Sequence, residues 1–284
     1  MSFDQPFEKK KVAQYFSSVA TTYNENNYVL AGTRGKYADV LSRHGYILEM
    51  IEGLHGRALE VGCGTGEMLC ALLERNFAVV GLDMAPGMIA ASRSRVRERF
   101  ADKAVDLVIG DVENLGFGNA EFDLVIAAGV VEYLDSEEKA LRDFQRILKP
   151  GGVVILSVRN KLNLARLLVT GRDLLVSLPV VGALIRPLSG LLGRLLSLPP
   201  NTGVPGRRHI PWRLKRQMRG IGLKPIDDAF YHFSVMPRFI ERRYHARCAR
   251  WEEKLEILSR TPLGYFGNQY IVKAQKVSNG NHCA

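Results

Sequence analysis

The sequence predicts an α/β fold, a doubly wound and mostly parallel sheet of seven strands. Three observations carry that expectation. Short apolar runs alternate with helical patterns from residue 58 to residue 158. The runs are mostly apolar, as expected of the strands of a parallel sheet covered on both faces. The first run, Ala58 to Glu67 (ALEVGCGTGE), passes straight into a turn with glycine at alternate positions. With 284 residues, 46% of them hydrophobic, the chain can bury a sizeable core.

Taken in order, Pro6 to Ala20 places Phe7, Val12, Tyr15, Phe16 and Val19 near helical spacing, and the Asn-rich Tyr23 to Asn27 reads as a break. Gly35 to Leu54 is a second helical pattern, with Tyr37, Val40, Leu41, Ile47, Leu48 and Ile51 on a broad face. Then follow strand Ala58–Val61, helix Glu67–Arg75, strand Ala78–Leu82, helix Pro86–Arg99, strands Val105–Ile109 and Phe122–Ala128, helix Ser136–Leu148 and strand Val153–Val158. Pro86 suits a first helical turn, and Lys149-Pro150-Gly151-Gly152 reads as a helix stop.

The alternation fails from Asn160 to Pro205, a Leu- and Val-rich insertion carrying Arg166, Arg172, Arg186 and Arg194 against a single acid, Asp173. Its longest uncharged stretch, Leu174 to Ile185, is short of the ~18–20 residues that span a bilayer. It reads as a helical lid over an apolar substrate, an amphipathic segment at a lipid interface, or plain core. Beyond it come helix Pro211–Arg219, strand Lys224–Phe233, a long basic helix Pro237–Ser259 and a last strand Tyr265–Lys276, completing seven strands. The expected organisation is an N-terminal helical cap (1–55), a core (56–159), the insertion (160–222), a segment that completes the sheet (223–276) and a disordered tail (277–284).

Charge is uneven along the chain. Residues 1–158 hold 17 Lys and Arg against 22 Asp and Glu, a net of −5, whereas residues 159–284 hold 22 against 7, a net of +15. An anionic partner belongs with the second half, whether nucleic acid, anionic lipid or an acidic substrate. The four cysteines, Cys63, Cys70, Cys248 and Cys283, form no C-x-x-C pair, which argues against a disulfide scaffold and a structural zinc. MSFDQPFEKKKV lacks the apolar run of a secretory signal, so a cytoplasmic location is expected, with peripheral attachment to the inner face of a membrane as an alternative.

The chemistry concentrates at strand ends, where open α/β sheets bind ligands. Gly62, Gly64 and Gly66 free the backbone of the first turn for close approach, and the next helix presents unpaired N–H groups to an anion. A dinucleotide fingerprint, G-x-G-x-x-G, would need glycine at position 67; Glu67 stands there and would oppose a pyrophosphate, so a ligand with one carboxylate fits better. Asp83 ends the second strand, where its carboxylate suits the two hydroxyls of a ribose, and Met84 can cover one face of a base. Asp111 ends the third strand and can accept from an exocyclic amine. Ala127, Ala128 and Gly129 leave space for a reacting group after the fourth.

EVGCGTG, GLDMAPGMI, GDVENLGF, FDLVIAAGVVEYL and LKPGG occur in the order and spacing of the class I S-adenosylmethionine-dependent methyltransferases, and the chain resembles that family from about Tyr15 to Val158. The resemblance implies a Rossmann-like core with S-adenosylmethionine as cofactor and S-adenosylhomocysteine as product. It implies that the loop Gly62, Cys63, Gly64, Thr65, Gly66 holds the methionine part, with Met88 and Ala127 also at the cofactor. It likewise assigns the ribose to Asp83, the adenine face to Met84, the adenine edge to Asp111 with Val112, and the orientation of the loop to Glu60. Cys63 reads as a small filler, not a nucleophile. YFSSVATTYNE is similar to the segment that closes over the cofactor in the ubiquinone-biosynthesis and related small-molecule methyltransferases, with Tyr15 and Tyr23 as closing residues.

One departure concerns the base. The family often reads Glu-His after the fourth strand, and here Glu132-Tyr133 stands instead. Glu132, Tyr133, His209 and His232 are all candidate general bases, and the sequence does not choose among them. The expected activity is methyl transfer to a small apolar or lipid-like acceptor, O-methylation first, with C- or N-methylation open. An RNA methyltransferase is the alternative within enzymes, but no Asp/Asn-Pro-Pro-aromatic run or Pro-Cys nucleophile follows the fourth strand, so nucleic acid is not the expected partner. A non-catalytic S-adenosylmethionine-binding partner protein is the alternative outside them. No metal site is expected, and no motif names the acceptor or the oligomeric state.

Overall fold

A computed structural model describes residues 9–24, 38–103, 105–163, 167, 206–233, 250–251 and 253–277. The strands are β1 (Arg57–Val61), β2 (Ala78–Asp83), β3 (Asp106–Ile109), β4 (Phe122–Ala128), β5 (Leu148–Arg159), β6 (Leu223–Tyr231) and β7 (Gln269–Lys276). They form one sheet in the order β3-β2-β1-β4-β5-β7-β6. The first five run parallel, and β7 lies antiparallel between β5 and β6. Strand order reverses between β1 and β4, which opens a crevice at their C-terminal ends.

Six helices are described: α1 (Lys9–Asn24), α2 (Ala38–Met50), α3 (Glu67–Glu74), α4 (Pro86–Arg99), α5 (Glu137–Ile147) and α6 (Pro211–Gly220). Successive strand residues point to opposite faces, and both faces are covered. On one side Leu59, Val61, Val125 and Leu156 pack with Leu141, Phe144 and Ile147 of α5 and Leu214 and Met218 of α6. On the other, Ala58, Leu124, Ile126 and Ile155 pack with Ile47 and Met50 of α2, Leu69 and Leu72 of α3 and Ile89 of α4. The inner strands are apolar for this reason: neither face meets water.

Helix α5 shows how local signals set an element. Ser136 caps it, accepting the Lys139 N–H at 3.3 Å, while Glu137 and Glu138 occupy the first turn and Arg146 the last, matching the helix dipole. Ala140, Leu141, Phe144 and Ile147 recur at three- and four-residue spacing and are fully buried. Phe144→Ala would leave a cavity and cost about 3–5 kcal/mol.

The structure corrects several boundaries. Helix α1 continues through Tyr23 to Asn24, so Tyr23 is helical and not the start of a break. Strand β5 begins at Leu148, five residues before the expected Val153. Leu148 pairs with Phe122 ahead of a register shift, and Lys149 to Gly152 form the irregular opening of the strand, with Gly151 at φ +78°. Strand β6 stops at Tyr231, and the last strand starts at Gln269, because Pro262–Phe266 forms a 3-10 turn instead. A further 3-10 turn, Val131–Tyr133, follows β4. The insertion from 164 to 205, apart from residue 167, lies outside the described residues, as do residues 234–236, residues 237–249 and 252 of the expected basic helix, and the tail from 278.

Candidate active site

A cleft of about 330 Å³ lies over the C-terminal ends of β1, β2 and β4, bordered by α1 and α2. Its floor is the glycine loop. Gly62 and Cys63 donate to the carbonyl of Leu82 at 2.6 and 3.1 Å, which ties the loop to β2. Gly62 has φ +68°, and a Cβ there would stand 2.2 Å from Val130 Cγ2, so glycine is required by both backbone and packing. At Gly64 a Cβ would meet nothing within 4 Å: the loop backbone is bare on the side of the cleft.

Two carboxylates frame this bare backbone. Asp83 Oδ2 accepts the Gly64 N–H at 3.0 Å and Oδ1 the Ala85 N–H at 2.8 Å, so its plane is fixed while other lone pairs remain. Burial raises its carboxyl, opposed by these backbone donors. Glu60 is more deeply enclosed, and burial pushes its carboxyl well up, countered by Arg43 of α2 and reinforced by Asp83. The Leu69 N–H in the first turn of α3 favours the Glu60 anion, yet Oε2 is buried without any partner. Glu67, which a pyrophosphate would oppose, is turned away into an ion pair with Arg95.

Met84, buried Met88 and Val112 continue the cleft beyond Asp83. Asp111 lies there too, but its Oδ2 accepts from Lys9 Nζ at 2.7 Å and its Oδ1 from the Glu113 N–H at 2.9 Å; Lys9 also pairs with Glu113. Burial would raise the Asp111 carboxyl, and these donors together hold it below its ordinary value. Helix α1 therefore reaches across the cleft. Its Phe16 packs edge-on against Tyr15, Tyr23 and Tyr133, with centroids 5.3, 6.4 and 5.9 Å away.

At the other end, Glu132 Oε1 pairs with Arg159 Nε at 3.1 Å, and Arg159 Nη2 donates to the Tyr133 hydroxyl at 2.9 Å. The Arg159 N–H also reaches Glu132 Oε2 at 3.3 Å. These three groups, from the turn after β4 and the end of β5, form one hydrogen-bonded wall. Burial keeps the Tyr133 phenol protonated, with its hydroxyl moved upward from the usual tyrosine range.

Of the expected site residues, Tyr23, Glu60, Gly62, Cys63, Gly64, Thr65, Asp83, Met84, Met88, Asp111, Val112, Glu132 and Tyr133 line this cleft. Tyr15, Gly66, Ala127, His209 and His232 do not. Tyr15 is 37% exposed on the outer side of α1, and Phe16 takes the inward place. Gly66 is the left-handed cap of α3, and Ala127 is buried one residue short of the lining Ala128. His209 Nε2 bonds Glu137 Oε2 at 2.9 Å, and its backbone bridges to Asn160; His232 sits past β6 at φ +59°. The cleft has a different histidine, His44 on α2, whose ring burial and the neighbouring Arg43 and Arg75 lower to about 4.

Sequence reading missed Lys9, Phe16, Arg43, His44 and Arg159. Arg159 carried a usable signal, being the first charged residue after VVILSV at a parallel strand's C-terminal end. Lys9, Arg43 and His44 lie in helical patterns where a polar residue reads as a solvated face, and Phe16 reads there as helix core.

Comparison with known proteins gives a consistent result. Residues 59–156 match a family model described as a methyltransferase domain. The chain is 35% identical over 129 residues to a ubiquinone biosynthesis O-methyltransferase from Azorhizobium caulinodans, covering 45% of this chain and 50% of that protein. It is 31% identical over 159 residues to a malonyl-[acyl-carrier protein] O-methyltransferase from Haemophilus ducreyi, covering 55% and 58%. The chain thus spans about half the length of the curated relatives it matches. A solved magnesium protoporphyrin IX methyltransferase from Synechocystis PCC 6803 shares the fold, with TM-score 0.61 at 14% identity over 95% of this chain and all of that one. With its glycine loop, strand-end acids and sheet order, the chain is thus similar over residues 59–156 to a methyltransferase domain.

Proposed function

We propose that the protein transfers a methyl group from S-adenosylmethionine to a small acceptor, an apolar or lipid-like molecule methylated on oxygen. The observation that carries this reading is Glu60. A buried carboxyl oxygen with no partner is costly unless a ligand donor meets it; Glu60 Oε2 is such an oxygen, and Glu60 lines the same cleft as Gly64. The α-ammonium of an amino-acid ligand is such a donor, and Arg43 offers its counterpart for the carboxylate. Asp83 is oriented to accept from ribose hydroxyls, and Met84 and Met88 supply apolar surface for a base.

Bound there, the sulfonium supplies an electrophilic methyl, so the work of the chain is positioning and exclusion of water. Phe16, Tyr23 and Leu134 supply the apolar boundary, and the wall of Glu132, Tyr133 and Arg159 fixes the acceptor end. Where the acceptor is a hydroxyl, His44 is the neutral imidazole of the cleft but a weak base, because burial and the neighbouring Arg43 and Arg75 lower it to about 4, whereas Glu132 is held in an ion pair and Tyr133 stays protonated. Two relatives named as O-methyltransferases support oxygen as the acceptor atom.

The reading is tested with methyl-labelled S-adenosylmethionine and two probes, a polyprenyl catechol and a malonyl thioester. Label extracted with the polyprenyl probe is the expected result, and Asp83→Ala should abolish it. Label on the malonyl thioester alone would overturn the apolar acceptor class, and label on neither, with cofactor binding intact, would overturn small-acceptor O-methylation.

A further inference from the structure

Helix α6, PWRLKRQMRG, contains no acidic residue, and its two sides differ sharply. Pro211, Leu214 and Met218 are buried, while Trp212, Arg213, Arg216 and Arg219 are exposed. At about 100° per residue, Trp212, Arg216 and Arg219 fall within roughly 60° of one another, so one indole and two guanidiniums share a stripe. Lys215 is drawn aside to Asp228 at 2.7 Å; among the described residues no ion pair engages the three arginines.

Exposed apolar side chains lie in the turns next to this helix. Trp212 is 52% exposed, and its ring lies 6.2 Å from that of Tyr265 in the turn Pro262–Phe266. That turn exposes Leu263 (54%) and Phe266 (40%), and the 3-10 turn Glu256–Leu258 packed beside it exposes Ile257 (82%). Large apolar groups gathered at the surface beside a basic face mark a binding site and not a solvated one.

We infer that α6 and these two turns dock on an anionic lipid bilayer. Tryptophan and phenylalanine settle at the headgroup level, leucine and isoleucine enter the acyl boundary, and the arginines meet lipid phosphates. Exposed leucine and isoleucine decide for lipid over nucleic acid, whose single strands are gripped by charge and aromatic stacking. Among the described residues no helix is long and apolar enough to cross a membrane. The surface adjoins the acceptor end of the cleft: a Cβ at Gly206 would touch Tyr133 Cε1 at 3.3 Å, the Arg207 N–H donates to the Glu132 carbonyl at 2.8 Å, and α6 begins four residues later. A bilayer on α6 therefore lies beside the wall where the acceptor is placed. The docking surface itself does not depend on methyl transfer.

The chain has two tryptophans, so Trp251→Phe leaves Trp212 as the sole indole reporter. Full-length Trp251→Phe protein is mixed with vesicles of phosphatidylcholine alone or with added phosphatidylglycerol. A blue shift of Trp212 emission and flotation with the anionic vesicles only, both weakened by salt, is expected. Arg213→Ala/Arg216→Ala should lower partitioning roughly 30-fold, about fivefold per arginine, with S-adenosylhomocysteine binding unchanged. Flotation equal in that variant, or no flotation at all, would overturn the inference. So would binding to polyglutamate or single-stranded RNA in preference to the anionic vesicles.

Discussion

The two ends of the cleft are built from different materials. The donor end is backbone and strand termini: a bare glycine loop held by Leu82, with Asp83 and Glu60 fixed by main-chain N–H groups. The end proposed for the acceptor is mainly side chains, Glu132 and Tyr133 from the turn after β4 and Arg159 from the end of β5, joined to one another. A backbone site tolerates little change at its glycines, whereas a side-chain wall can be rebuilt while the donor end stays intact.

The largest expected effect tests the rigidity of the donor end. Gly62→Ala combines a positive φ with a Cβ 2.2 Å from Val130, and should lose about 3 kcal/mol in denaturant unfolding. Gly64→Ala has no such clash and should lose only ~1–2 kcal/mol from strain, yet weaken S-adenosylhomocysteine in calorimetry because its methyl fills the cradle. Equal destabilisation by both would break the distinction between a packed and a bare glycine.

At the acceptor end, Arg159→Met strands the buried Glu132 and should cost about 2 kcal/mol, reduced from the fully buried case because Arg159 is 27% exposed. Cofactor affinity should stay as in the parent; a parallel fall would join the two ends.

His44 sharpens the comparison through pH. The unfolded imidazole takes its proton near pH 6.5 and the folded one near 4, so between these values the unfolded state binds more protons. Stability should fall as pH drops through that window, by roughly 2–3 kcal/mol, and thermal melts of His44→Gln should show a flatter profile. The smallest effect lies away from the cleft: Ser136→Ala removes the cap of α5 and should cost about 1 kcal/mol in unfolding, without altering binding at either end.

The same difference explains what could be read from the sequence. Gly62 to Thr65, Asp83 and Met84 were legible as cleft residues because each lies within a few residues of a strand end, where chain order and spatial order coincide. The inner strands were legible because burial on both faces makes their runs apolar. Lys9 on Asp111, Arg159 on Glu132 and His209 on Glu137 join residues tens of positions apart, and no local spacing encodes such pairs. Tyr15 and Phe16 show the limit of periodicity, since adjacent aromatics on α1 differ by about 100° and the pattern did not say which one faced the cleft. The strand boundary at Leu148 was hidden because Lys149 to Gly152 reads as a stop while the backbone pairs irregularly with β4.

The central claim is that the cleft receives the amino-acid end of S-adenosylmethionine against Glu60. Calorimetric titration of the parent protein and Glu60→Gln with S-adenosylhomocysteine tests it most directly. One-to-one binding, weakened at least about tenfold in Glu60→Gln at unchanged melting temperature, is the predicted result, since a hydrogen bond to a charged group contributes about 1.5–3 kcal/mol. Equal affinity in the two proteins, or no binding to the parent, would contradict it.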